Sequence, residues 1–255
     1  MRTFKLTLAY DGTNYAGWQS QPDRRTVQGS LESALLTVTG KSIRTMASGR
    51  TDAGVHAVGQ VVGFRSESRL EPDVLLRALN ANLPHDIRVV ASQEAAADFH
   101  PIRDARRKIY RYFIDDHPVP DPFERHYVWQ FPTRLDETAI CDAARALIGR
   151  HDFVSFQTRG SERESTVRAV SICVERQVSV RAPEIPGSRL AITVSATGFL
   201  YNMVRNIVGT LVEVGRGSKA ASWVATVLQA RDRRAAGPTA PPQGLFLWHV
   251  EYDWH

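Results

Sequence analysis

Apolar and polar residues alternate with period two at the start of the chain. Phe4, Leu6, Leu8 and Tyr10 interleave with Thr3, Lys5, Thr7 and Ala9, which predicts a strand with one buried face. Asp11-Gly12-Thr13-Asn14 ends it as a turn. The period then changes. Val27, Leu31, Leu35 and Val38 recur at helical spacing behind Thr26, a suitable N-cap, and Gly40 stops the helix. Residues 43–47 and 58–64 read as strands. Pro72 opens a second helix, because proline suits the first helical turn.

The second half has a similar grammar. Strands are predicted at 109–114, 170–180, 190–196 and 245–252. Helices are predicted at 135–148, 201–214 and 223–230, the first with Asp136 as N-cap and Gly149 as stop. Residues 181–188, with Pro183, Pro186 and Gly187, read as a hairpin loop. Residues 235–244, with three prolines and two glycines, read as a second loop. Strands mostly in hairpins, with helices between, make an α+β protein. Two β-α-β-β-like halves, 1–103 and 104–255, are expected, although no residue-level repeat links them.

A chain of 255 residues, 43% hydrophobic and 23% charged, can bury a large core in one domain or two smaller halves. Its 32 Lys+Arg against 27 Asp+Glu give a net charge of +5, which suits a polyanionic partner such as nucleic acid. The two cysteines, Cys141 and Cys173, have no His or Cys at metal-ligand spacing, so no metal site is expected. Residues 1–20 show no apolar signal region. No stretch approaches the roughly 20 apolar residues of a membrane span. A cytoplasmic protein without a membrane association is expected.

Chemistry concentrates in Ser48-Gly49-Arg50-Thr51-Asp52-Ala53-Gly54-Val55-His56. One carboxylate stands between two glycines, which permit positive φ or close backbone approach. Alone, the run reads as a surface turn. A second candidate lies in the helix at 201–214, which is apolar nearly all round and therefore buried, yet carries Arg205. Such an arginine needs an acceptor: a framework acid, a route to solvent, or a catalytic carboxylate whose pKa it would lower. Third, Arg106 to Phe113 interleaves cations with aromatic rings on a strand, with Tyr110 and Tyr112 on one face. Cations attract phosphates, and rings stack on bases. Arg24, Arg25, Arg103 and the run Arg231-Asp232-Arg233-Arg234 extend the basic supply. His56 is expected to be a structural hydrogen-bonding group and Trp18 a core residue. Gln19 and Gln28 are candidates to line a cleft. Gly215-Arg216-Gly217-Ser218-Lys219 lacks the order of a phosphate-binding loop.

Taken together, these stretches resemble the tRNA pseudouridine synthases of the TruA type. The signature is Gly49 to His56. Around it stand Tyr10-Asp11-Gly12, Tyr15-x-Gly17-Trp18-Gln19, Val27-Gln28-x-x-Leu31-Glu32 and Asn80-x-Asn82-Leu83-Pro84-x-Asp86-Ile87. Asp98-Phe99-His100, Tyr110-Arg111-Tyr112, His151-Asp152-Phe153-x-Ser155-Phe156, Phe199 to Arg205 and Pro241-Pro242-x-Gly244-Leu245 follow in order.

The resemblance implies a pseudouridine synthase fold: two RRM- or ferredoxin-like halves forming one mainly antiparallel sheet flanked by helices. It implies isomerisation of uridine to pseudouridine in the anticodon stem-loop of tRNA (positions 38–40) by a homodimer. Asp52 would be the catalytic carboxylate, Arg205 its salt-bridge partner, Tyr110 the ring that packs on the target base and Arg50 a holder of the flipped nucleotide. The reaction oxidises nothing and adds no group, so no cofactor or metal is expected. Asp52 could attack C1′ as a nucleophile or remove the C2′ proton. The alternative is a non-catalytic RNA-binding module, which would need the cations but not Asp52.

Overall fold

A computed structural model describes residues 1–158, 165–182 and 185–253. In chain order they form β1 (Arg2–Tyr10), α1 (Val27–Thr39), β2 (Met46–Ala47), β3 (His56–Ser66), α2 (Pro72–Asn82), β4 (Ile87–Ala95), β5 (Ala105–Asp115), β6 (Trp129–Gln130), α3 (Glu137–Arg145), β7 (Gly149–Asp152), β8 (Val167–Ala182), β9 (Ile185–Ala196), α4 (Met203–Gly215), α5 (Trp223–Ala230) and β10 (Leu245–Tyr252). This is the expected α+β class.

The chain divides into two compact units. The first holds Met1–Arg106 with the chain from Phe246 onward, and the second holds Arg107–Leu245. The chain crosses between the units twice, after Arg106 and after Leu245. The cause is hydrogen bonding: β10 pairs in parallel with β3, Phe246 against His56 and Leu247 against Ala57.

In the first unit β1 lies between β4 and β3, antiparallel to both, and β2 pairs with β3. The alternation in β1 has the expected outcome: Phe4, Leu6 and Leu8 are fully buried. Thr26 caps α1, its hydroxyl accepting from the Gly29 N–H, and Gly40 closes it at φ +69°. Of the strand predicted at 43–47 only Met46 and Ala47 form a ladder. Glu32 diverts the preceding backbone by accepting from the Thr45 N–H at 2.8 Å. Strand β4 has no counterpart among the strands that periodicity predicts. Its register against β1 shifts between Thr7 and Leu8, and only Ile87 and Val89 are buried, so its alternation is broken.

In the second unit β5, β9, β8 and β7 lie in that order, all antiparallel, with β6 parallel to the end of β5. Helices α3 to α5 complete it. Asp136 caps α3 as expected, but α3 stops at Arg145. Ala146, Leu147 and Ile148 continue as tighter turns bonded to Ala143, Ala144 and Arg145. Leu147 stays buried, which prolongs the apolar period past the helix. Gly149, at φ +106°, opens β7. In the hairpin loop predicted at 181–188, β8 and β9 run to Ala182 and from Ile185. Residues 183 and 184 lie outside the described residues.

Candidate active site

The signature run connects β2 to β3 in the first unit, and its backbone is tied down at several points. The Ser48 N–H donates to Val61 O at 2.8 Å. The Ser48 hydroxyl bonds to Gln60 Oε1 at 2.8 Å, and Gln60 Nε2 donates to Gly49 O at 2.7 Å. Thr51 is gripped twice: its carbonyl accepts from the Trp18 N–H at 3.0 Å, and its hydroxyl lies 2.8 Å from that of Tyr10. The Gly54 N–H donates to Tyr15 O, and Val55 N–H closes a turn onto Asp52 O. Gly54 needs its φ of +77°. Ser48, Thr51, Val55 and His56 are buried, while Asp52 is half-buried and Arg50 exposed. A buried scaffold therefore holds one half-buried carboxylate, Asp52.

Segment 10–18 is the other wall of this scaffold. A Cβ on Gly12 would fall 2.0 Å from Val55 O, and one on Gly17, which sits at φ +91°, would fall 2.6 Å from Thr51 O. Trp18 is 2% exposed and is a core residue, as expected. His56 accepts from the Gly12 N–H at Nδ1, 3.0 Å, stacks on Phe246 with centroids 4.6 Å apart, and is 1% exposed. Its role here is to hold the turn. Burial pushes the Tyr10 hydroxyl up to about 12, against the hydrogen bonds to Thr51 and Gln60 that lower it, so it stays protonated.

A further layer supports that wall. Arg25 pairs with Asp86 at 2.9 Å and lies 4.5 Å over the Tyr15 ring, whose hydroxyl bonds to Asp86. Burial, then Asp86, raises the Tyr15 pKa. Gln28 is 5% exposed and bonds to Gln19, Glu32 and Thr45 O. It stiffens the unit instead of lining a cleft. Gln60, fully buried at the centre of the loop's hydrogen bonds, is not among the residues that the sequence singles out. Its one signal is an amide in the otherwise apolar stretch Val58 to Phe64.

The second unit carries Tyr110 and Arg205. Tyr110 stands on β5 opposite Val194, 7% exposed, its ring edge-on to Phe199 at 4.9 Å and 83°. Tyr112 follows on the same face, fully buried, and donates to Pro241 O at 2.7 Å. Burial raises the Tyr112 pKa, and the Arg205 charge opposes that rise. Arg205 is half-buried on a helix whose other residues are nearly all buried. Its Nε donates to Ala240 O at 2.8 Å and its Nη1 to Asn202 Oδ1 at 3.0 Å. Arg50 and Asp52 thus share one loop, and Tyr110 and Arg205 belong to one unit.

Much of the basic supply is paired within its own unit. Arg231 binds Asp152, Arg234 binds Asp232 at 2.7 Å, Arg103 binds Asp104 at 2.6 Å and Arg106 binds Asp253 at 2.8 Å. These arginines shape the surface more than they offer free cations. Among the described residues no cluster of His, Cys, Asp and Glu could hold a metal ion, and no helix is long and apolar enough to cross a membrane.

Comparison with known proteins places the chain in a family. A family model described as tRNA pseudouridine synthase matches residues 7–102 and 143–253. Proteins named tRNA pseudouridine synthase A match almost end to end. That of Moorella thermoacetica is 47% identical over 99% of this chain and 100% of its own length. Those of Geobacillus kaustophilus and Anoxybacillus flavithermus are 45% identical over 98% and 94%, and 44% over 99% and 100%, respectively.

Proposed function

Because this chain belongs to the tRNA pseudouridine synthase family, an isomerase of uridine in tRNA, we propose that Asp52 is the carboxylate that performs the isomerisation. The observation that carries this reading is the Asp52 turn, held on both sides by buried hydrogen bonds with its acid left half-exposed.

In the reaction the C1′–N1 bond breaks, the uracil turns, and a C1′–C5 bond forms. The C5 proton leaves and N1 gains one, so atoms and charge balance without an oxidant or a donor group. Asp52 either attacks C1′ or takes the C2′ proton, and both routes need it ionised. Arg205 is proposed as the cation that keeps it so. Tyr110 is proposed to pack on the uracil, which must not escape while it is detached. The target has to leave its stack, at a cost of a few kcal/mol, and exposed Arg50 is proposed to hold it out. Further elements of the proposal are the anticodon stem-loop as the target, a homodimer as the acting form, and the cytoplasm, where the tRNA is, as the location. Their support is the family resemblance.

The test is Asp52→Asn with unmodified tRNA transcripts. Pseudouridine, counted by mass spectrometry after chemical labelling, falls below detection, while tRNA affinity stays within about twofold of wild type. Substantial turnover by the variant removes Asp52 from the mechanism. A wild-type chain that binds tRNA and makes no pseudouridine would be an RNA-binding module instead.

A further inference from the structure

We propose that Arg233 is a positioning residue: it fixes segment 237–240 against α4 and thereby the direction of the Arg205 guanidinium. This rests on the role given to Arg205 above.

Arg233 is half-buried, and it is held by neutral acceptors. Nη1 donates to Gly237 O at 2.8 Å, and Nη2 donates to Asn206 Oδ1 and Thr239 Oγ1, both at 3.0 Å. Among the described residues no carboxylate pairs with it, and burial lowers its pKa. Holding a cation partly out of water on neutral acceptors is costly. A planar fork of five donors can, however, bridge a helix and a loop at once.

The bridge is dense. The Thr239 hydroxyl donates to Asn206 Oδ1 at 2.7 Å, and the Gly237 N–H donates to Thr210 Oγ1 at 3.0 Å. Asn206 is itself buried and fixed, its Nδ2 donating to Phe156 O at 2.8 Å. Contact is backbone on backbone, since a Cβ on Gly209 would fall 1.8 Å from Pro238 O. The segment ends at Ala240, whose N–H donates to Arg205 O at 3.1 Å and whose carbonyl accepts from Arg205 Nε at 2.8 Å. The peptide that aims the Arg205 side chain is therefore placed by Arg233 and Thr239. Loosening either one lets Ala240 O move, and the guanidinium moves with it.

The experiment compares wild type with Arg233→Met, Thr239→Val and Thr239→Ser, by steady-state turnover on unmodified tRNA, tRNA binding and thermal melting. Arg233→Met and Thr239→Val should lower kcat about tenfold with KM and tRNA affinity within about twofold. Thr239→Ser keeps the hydroxyl and should return kcat to within about twofold of wild type. Equal kcat for the Val and Ser variants overturns the inference. Should Arg233→Met not fold, the Thr239 pair decides alone. Arg205→Ala in the same assay separates the two readings. If it keeps wild-type turnover, the role of Arg205 fails. If it loses turnover while Thr239→Val does not, only the role of Arg233 fails.

Discussion

Gly17 and Thr51 meet backbone to backbone: a Cβ on Gly17 would stand 2.6 Å from the Thr51 carbonyl oxygen and 3.1 Å from the carbonyl carbon of Asp52. The φ of +91° at Gly17 disfavours any side chain independently. Gly17→Ala should therefore push the Asp52 turn outward. We expect a loss of about 1–3 kcal/mol in stability and a fall in kcat of more than about tenfold. Melting and turnover measured together check this. A variant with a lowered melting temperature and unchanged kcat would mean that the turn tolerates displacement.

Tyr10 supports the same turn from below through its 2.8 Å contact with the Thr51 hydroxyl. Tyr10→Phe leaves the ring packed near Trp18 and removes one oxygen. A buried hydroxyl deprived of its partner costs about 1–3 kcal/mol. The variant should melt lower and lose kcat, with KM for tRNA unchanged, because Tyr10 is buried and acts only through the turn. A rise in KM without loss of kcat would contradict that placement.

The elements with clear periods are legible in the amino-acid sequence: β1, α1, α5 and β10 stand where the pattern puts them, as do the caps at Thr26 and Asp136. The candidate site residues stand out as residue types and through the family resemblance. What holds them does not. Gln60, Asn206 and Arg233 act through partners 11 to 50 residues away or through short loops, and period carries no information on such pairs. Strand β4 is hidden by its register shift, and the return of β10 to the first unit depends on strand pairing across the whole chain.

Acid should unfold the protein partly through Asp116. It is fully buried, bonded twice to Arg176 at 2.8 and 3.1 Å and to the Leu135 N–H at 2.9 Å, with Arg134 at 3.5 Å. Burial favours protonation, but these partners outweigh it and the pKa falls below the ordinary aspartate value. The folded form therefore prefers the charged acid. Its contribution is complete above the unfolded pKa of about 3.9 and is lost as pH falls through the lower folded value. Asp116→Asn should cost about 1–3 kcal/mol at neutral pH, since half-buried Arg176 then keeps only Glu137, at 3.2 Å, as an acid partner. The gap in melting temperature between variant and wild type should shrink toward pH 3. A constant gap from pH 7 to 3 would show that Asp116 does not titrate with unfolding.

High salt should weaken tRNA binding steeply, because each phosphate contact releases a counterion. The arginines differ in what they can contribute. Arg234 is already committed to Asp232, bonding through Nε and Nη2 at 2.7 to 3.1 Å. Arg50 is exposed in the signature loop, and Arg24 is exposed ahead of α1. Arg50→Gln and Arg24→Gln should each lower the slope of log K against log salt by about one. Arg234→Gln should leave the slope unchanged within about 0.3, because a cation paired to a neighbouring acid brings little net charge to the RNA. Binding titrations from low to moderate salt on one unmodified transcript measure all three. Equal slope losses for the three variants would mean that the Asp232 pairing opens on the RNA, and a flat response of the wild type would exclude a phosphate-led interface.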